Sequence, residues 1–327
     1  MTAAVLLNYN DADTTITAVR RIASFSCPDH IVIVDNASTD GSAEKISEAF
    51  AIEPQDMPAG ENDDKADGRK DCLYSGDKSG ERIFLLRSDR NGGYGYGNNL
   101  GVRWAAEHLG ADLVLIANPD AVFSEELVRS MQACFALRPK VGAVGALMAG
   151  GPEPELSYDE FIRAGWRERG FWGELLHSGP VCKRLFRQQL NYPPEYYKKT
   201  AGTAGGDAIE VFAVHGSLLM VSAEAFLGCG GYDEAMFLYM EEYVLGQRMK
   251  TCGFKTLLLL SGYTHEGSHS ITGAGWKAAA RQRFRQDSER IYYRKYLYAG
   301  SGKMLAAGIF QHLVMLETKI FGLLNKI

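Results

Sequence analysis

The sequence predicts an α/β fold built on a largely parallel sheet, and three observations carry that prediction. Short runs of aliphatic and β-branched residues alternate with segments whose apolar residues recur at helical spacing. Strands that alternate with helices are joined by right-handed crossovers, which make neighbouring strands parallel. Finally, Asn8, Asp35 and Asp120 each close a strand-like run, and open α/β sheets collect ligands at the carboxyl ends of their strands.

In order along the chain, residues 3–7 read as a buried strand and Thr14–Phe25 as a helix with Ile16, Val19, Ile22 and Phe25 on one face. Ile31–Asp35 is a second strand, after which Ser38 to Asp40 supply capping chemistry for a helix over 41–50. Between Glu53 and Glu81 stand nine acidic and four basic residues with four glycines, the composition of a flexible surface insertion. Ile83–Leu86 is a third strand, and Asn91 to Asn99 a loop with four glycines in nine residues. Its Gly-x-Gly spacing is a weak dinucleotide signal, since it does not follow the chain's first strand. A helix over Leu100–Leu109 leads to a fourth strand, Asp112–Ala117, which ends at Asn118-Pro119-Asp120.

Residues 150–205 carry Trp166, Phe171, Trp172, Tyr192, Tyr196 and Tyr197 amid Gly and Pro, and read as a lid or acceptor-facing segment rather than core. Regular patterning returns with a strand over Leu218–Val221, helices over Ser222–Leu227 and Glu241–Cys252, and a strand over Lys255–Leu260. The expected organisation is one domain over residues 1–275 and a helical extension over 276–327. From Lys277 to Lys303 there are eight Lys/Arg against two acidic residues, interleaved with Tyr292, Tyr293, Tyr296 and Tyr298. Leu305, Ile309, Leu313, Leu316, Ile320 and Leu323 then form a stripe. It reads first as packing against the main domain or a second subunit of a homodimer, and second as peripheral contact with an anionic membrane surface.

Bulk properties narrow the function. Apolar residues make up 46% and charged residues 23% of 327, ordinary for a globular enzyme. A net charge of -5 argues against a nucleic-acid binder. Six scattered cysteines suit reduced thiols in a cytoplasmic protein. The sequence shows no signal peptide, and Gln311 and His312 break the longest weakly polar run, Met304 to Leu316. The expected location is therefore the cytoplasm, with the inner membrane face as the place of any peripheral contact.

The chemistry lies in three places. Glu241 and Glu242 open a helix, Asp120 ends an apolar strand, and His265 follows a later one. A base for an incoming hydroxyl, an anchor for a divalent cation and help for a departing diphosphate are what sugar transfer from a nucleoside diphosphate requires. Adjacent helix residues point about 100° apart, so one glutamate of the pair faces the substrate. A solvated helix start and an Asx-Pro turn are the plainer explanations of the same residues.

These segments resemble family 2 glycosyltransferases of the GT-A fold, particularly the rhamnosyltransferase-like branch. The likeness rests on Leu7-Asn8-Tyr9-Asn10, Val34 through Ser42, Asn91 through Asn99, Asn118-Pro119-Asp120, His215-Gly216-Ser217, Gly230 through Glu234, Phe237 through Arg248, and His265 to Ser270. It implies an inverting transferase that uses Mg²⁺ or Mn²⁺, a UDP- or dTDP-linked sugar (rhamnose or another hexose) and a glycan or lipid-linked acceptor. It assigns donor and nucleotide contact to Asn8, Asn10, Asp35, Asn91, Gly92, Gly97, Asn98, Asn118 and Asp120, and the metal to Asp120 and His265. His215, Gly216, Ser268 and His269 fall near the acceptor or leaving group, and one of Glu241 and Glu242 is the base. Two departures from the family pattern, Glu242 for the usual Asp and Val244 where another acid is common, keep open a non-catalytic sugar-nucleotide or glycan-binding module. A nucleotidyltransferase would need a Gly-rich basic loop where Asn8-Tyr9-Asn10-Asp11-Ala12 stands.

Overall fold

The computed structural model describes residues 1–54, 72–75, 82–149, 158–200, 208–265 and 278–324. Its centre is β1 (Thr2–Asn8), in which every residue is buried. The reason is its position. It pairs in parallel with β2 (His30–Asp35), and that strand with β3 (Ile83–Arg87), while on the other side it pairs in parallel with β4 (Leu113–Ala117). Helices cover both faces of this block, so alternate residues of one strand feed different cores. Val5 and Leu7 pack with Val34, Ile116, Val102 and Trp104, whereas Ala4 and Leu6 pack with Ile33, Ile16, Val19 and Met131.

The helices between these strands are α1 (Ala12–Ala23), α2 (Ser42–Ala49) and α3 (Tyr94–Leu109). Asp11 caps α1 by accepting the Thr14 amide. The start of α3 departs from expectation, since Tyr94 to Asn99 of the glycine-rich segment are its first turns and only Asn91 to Gly93 form a loop. Gly97 lies so close to β1 that an added Cβ would come within 2.2 Å of Leu7, and one on Gly101 within 2.5 Å of Val5. Close helix–strand packing overrides the poor helix propensity of glycine.

Beyond β4 come α4 (Glu125–Leu137), β5 (Val141–Ala149), β6 (Ala208–Val211), β7 (Leu218–Ser222) and β8 (Lys255–His265). The sheet runs β6–β8–β5–β7–β4–β1–β2–β3, with β7 antiparallel to both its neighbours and β6 antiparallel to β8. It is mixed, not largely parallel: the parallel rule holds for the βα-alternating first half and for β5 beside β8. Of the predicted insertion, 53–54 and 72–75 form antiparallel edge strands on β3, and the rest lies outside the described residues.

Contrary to expectation, the aromatic segment contributes to the core. It contains short helices, including α5 (Phe171–Ser178) and α6 (Pro180–Leu185), and Phe161, Phe171, Leu175 and Tyr197 are core residues. A third core joins Phe171 and Leu175 to Phe212, Met236, Tyr243, Tyr292, Tyr293 and Ala307. It links α5 to α7 (Glu241–Thr251) and to the extension, which is α8 (Ala278–Lys295) and α9 (Ser301–Leu324). The face of α9 that packs inward carries Ala307, Gln311 and Val314, while Leu305, Ile309, Leu313, Leu316 and Ile320 are exposed. Packing of these five residues against the main domain is thus excluded, and the Leu323 side chain lies outside the described residues. Among the described residues no helix is long and apolar enough to cross a membrane.

Candidate active site

A cavity of about 370 Å³ opens where β1 and β4 end, against the start of α7. Seven of the sequence-predicted residues line it: Asn8, Asn118, Asp120, His215, Gly216, Glu241 and Glu242. Chain segments more than a hundred residues apart meet here because the 215–217 turn is tied on several sides. Asn118 N donates to Ser217 O at 2.8 Å, Tyr94 Oη donates to Gly216 O at 2.6 Å, and the His215 ring lies 2.8 Å from Ser217 Oγ.

On the β1–β2 side, polar groups close on one another. Asn8 Nδ2 donates to Asp35 Oδ1 at 2.7 Å, Ser38 N donates to Asp35 Oδ2 at 3.0 Å, and Thr15 Oγ1 donates to Asn8 Oδ1 at 2.8 Å. Asn10 sits just outside, its side chain accepting the Thr39 amide at 2.8 Å and its own amide donating to Ser38 Oγ. Asp35 is buried behind Asn8 and does not line the cavity.

The glycine-rich segment also stands back from the cavity wall. Asn91 Oδ1 accepts from Asn36 Nδ2 at 2.9 Å and from Gly93 N at 3.0 Å, and Asn98 donates to Tyr94 O one turn back in α3. Gly92 lies against the Tyr96 ring. Gly93, at φ +89, lets the loop approach Phe237 so closely that a Cβ there would lie 2.0 Å from its carbonyl oxygen. That contact fixes the segment leading into α7.

α7 begins under backbone strain. Tyr239 and Met240 have φ of 73 and 71, left-handed values that cost of order 1–3 kcal/mol each for non-glycine residues. The strain aims the first turn of α7 into the cavity. Glu241 is buried, and its Oε1 accepts no hydrogen bond from any described residue. Glu242 is half-buried, and its Oε1 accepts the Gly216 amide at 3.2 Å. Burial raises both carboxyls above the usual range, and at Glu241 the neighbouring Glu242 charge adds to the effect. Low dielectric favours the neutral acid, so either carboxylate, once ionised, is a stronger base than a free glutamate.

Asp120 is buried and lines the cavity at the end of β4. The backbone of His265 pairs with Ala121, one residue beyond it. Among the described residues no three His, Cys, Asp or Glu side chains form a ready metal cage. The donor chemistry suits Mg²⁺ or Mn²⁺, which take one or two carboxylates and complete their shell with substrate phosphates and water. Ser268 and His269, predicted near the leaving group, lie outside the described residues.

The segment read from the sequence as acceptor-facing supplies part of the far wall, but none of that wall's charged residues stood out in the sequence. Glu174 and His177 from α5, Lys183 from α6, and Arg285 and Glu289 from α8 all line the cavity. Trp166 stacks on Tyr243 with ring centroids 5.2 Å apart, and Arg169 makes a buried ion pair with Glu174 at 3.1 Å. Burial pushes Glu174 up to about 7 in spite of Arg169, and pushes Glu289 up to about 7. It lowers His177, helped by Arg169 and Lys183, so that the imidazole stays neutral. The only signals in the sequence were the aromatic segment around Trp166 and the basic stretch that contains Arg285.

No family model matches the chain. Among curated proteins it is 24% identical over 257 residues to N-acetylglucosaminyl-diphospho-decaprenol L-rhamnosyltransferase of Mycobacterium tuberculosis, covering 74% of this chain and 68% of that protein. It is 25% identical over 171 residues to a low-salt glycan biosynthesis hexosyltransferase of Haloferax volcanii, covering 50% and 45% of the two. Among solved structures it resembles a mannosyltransferase from Pyrobaculum calidifontis in complex with GDP-Man and Mn²⁺, with TM-score 0.53, 15% identity, and 99% and 74% of the two chains covered. It also resembles GalNAc-T7 with UDP, GalNAc and Mn²⁺, with TM-score 0.59, 15% identity, and 94% and 51% covered. The structural likenesses establish a Rossmann-like mixed α/β core. The sequence relatives, a rhamnosyltransferase and a hexosyltransferase, relate the chain to the broad glycosyltransferase superfamily.

Proposed function

We propose that this chain is an inverting GT-A glycosyltransferase that moves a hexosyl group, rhamnose or a close analogue, from a UDP- or dTDP-linked sugar to a hydroxyl of a glycan or lipid-linked acceptor. One observation carries the reading: a single cavity receives the strand-end carboxylate Asp120 from one side and the Glu241–Glu242 pair from the other. Separating an anchor for the leaving diphosphate from a base for the incoming hydroxyl is what in-line displacement needs.

Within that reading Glu242 is the base. It is the more open of the pair, and the Gly216 amide holds one oxygen, leaving the other for the acceptor O–H. Burial keeps the proton affinity of Glu242 high, and its charge in turn raises the carboxyl of Glu241, buried beside it. Asp120 would hold the divalent cation together with the donor's diphosphate, with His265, whose backbone pairs with Ala121, as the second protein ligand that the motif resemblance implies. The cation supplies charge neutralisation for the departing nucleoside diphosphate. Asn118 contacts the donor, Asn8, held by Asp35, Ser38 and Thr15, forms the floor beside it, and His215 and Gly216 shape the acceptor side. The rhamnosyl and hexosyl activities of the sequence relatives support the choice of sugar.

The test is a panel of UDP-, dTDP- and GDP-sugars with Mg²⁺ or Mn²⁺, read by thermal shift, since a ligand that binds only the native state raises the melting temperature. A metal-dependent shift with one UDP- or dTDP-sugar is expected. The anomeric configuration of any glycoside formed, read by NMR, then checks inversion. Absence of a shift with every nucleotide sugar would sink the donor assignment.

A further inference from the structure

The extension and the rest of the chain have opposite charge. Residues 276–327 carry ten Lys/Arg against three Asp/Glu, a formal +7, whereas residues 1–275 carry 25 against 37, a formal −12. Upon the basic part lies an uncovered apolar face. Leu305, Ile309, Leu313, Leu316 and Ile320 are between 44% and 68% exposed, on the side of α9 opposite its packed residues. At helical rise this face is about 22 Å long. Lys319 flanks it and is exposed, Lys303 at the start of α9 is exposed with its ammonium over the Phe171 ring, and Arg283 and Arg294 on α8 are exposed.

Large contiguous apolar patches on a soluble protein mark an interaction surface. A second copy of this chain is a poor occupant. A two-fold interface sets the same patch against itself, so two basic extensions would face each other. Among the described residues no helix is long and apolar enough to cross a membrane. An anionic surface satisfies both features at once, because it takes aliphatic side chains at its acyl boundary and Lys/Arg at its headgroups.

We infer that the exposed face of α9 is a docking surface for an anionic lipid bilayer, on which the helix lies without crossing. α6 joins this face to the cavity. The Val181 amide donates to Glu317 of α9 at 2.9 Å, Val181, Leu185 and Phe186 are exposed beside it, and Lys183 of the same helix lines the cavity. Docking therefore sets the far wall of the cavity close to the headgroups, and on the transferase reading a lipid-linked acceptor is met there.

The experiment uses the purified full chain with vesicles of phosphatidylcholine alone or mixed with phosphatidylglycerol, without any nucleotide sugar. Co-sedimentation is expected with the anionic vesicles only, falling as salt is raised. Ile309→Glu with Leu313→Glu should lower the bound fraction by about tenfold or more, since both removed groups are aliphatic anchors. Lys303→Glu with Lys319→Glu should remove the preference for anionic lipid. Circular dichroism and light scattering check that the variants stay folded and at unchanged size. Absence of vesicle binding by the unmodified chain overturns the inference, as does a dimer that the Ile309/Leu313 variant dissociates. Because no donor is present, the outcome is separate from that of the nucleotide-sugar panel.

Discussion

The two rims of the cavity are built on opposite principles. Along the β1–β2 rim, Asn8, Thr15, Asp35 and Ser38 hydrogen-bond to one another, so nearly every polar atom is spent on shape. Along the α5–α7–α8 rim, Glu174, Glu241 and Glu289 are removed from water and Glu242 partly so, and all four hold their protons more tightly than free glutamates. Satisfied hydrogen bonds give a rigid floor of modest energy. Buried carboxyls cost stability and return chemical reactivity near neutral pH. Substitutions on the first rim should therefore read out as stability, and on the second as rate or pH dependence.

The largest effect is expected on the reactive rim. Glu242→Gln should slow transfer by roughly two to four orders of magnitude, the usual cost of losing a general base, while Glu241→Gln costs less. Donor affinity, measured by thermal shift, should survive in both. Equal and near-normal turnover in the two variants would remove the pair from the mechanism.

Asp120→Asn comes next. It keeps the size of the side chain but removes the charge, so metal-dependent nucleotide binding should fall by about tenfold or more. Calorimetry with nucleoside diphosphate, with and without Mn²⁺, separates this from general damage. If the metal dependence is intact in the variant, Asp120 is not its anchor.

Asp35→Asn probes the structural rim. The carboxylate accepts from both Asn8 and Ser38, and an amide replaces one acceptor by a donor. A loss of about 1–3 kcal/mol in denaturant unfolding follows from leaving a buried partner unsatisfied. A variant as stable as the parent but unable to bind nucleotide would move Asp35 from scaffold to ligand contact.

The smallest effect is in pH dependence. Glu289 has its folded-state value raised to about 7 from an ordinary 4.5. The folded state then binds the proton more tightly than the unfolded one. Its contribution is fully present below about 4.5 and is lost as pH rises to about 7. Glu289→Gln should flatten the fall in melting temperature across that window. An unchanged slope would assign the dependence to Glu174 and the other carboxyls of this rim.

Much of the first rim was legible in the chain. β1, α1, β2 and β4 follow from apolar runs and helical spacing, and the residues that end them are drawn to one edge by parallel pairing. The second rim was legible only at Glu241 and Glu242, which stand together at a helix start. Glu174, His177, Lys183 and Glu289 are ordinary surface-type residues in sequence. They acquire shifted protonation only because α5, α6 and α8 converge on one cavity.

The sequence by itself determined the alternating core, the positions of the strand-end polar residues and which residues of α9 share a stripe. Tertiary structure alone decided that Tyr94 to Asn99 of the glycine-rich segment are helical, because Gly97 must lie against Leu7. It also decided which way the stripe looks. Periodicity fixes which side chains stand on one side of a helix but carries no information about orientation. α9 is apolar on both sides, and Ala307 and Val314 face the core while Ile309 and Leu313 face outward. Packing against Tyr292, Tyr293 and Phe171 selects the inward face, and those partners come from elsewhere in the chain.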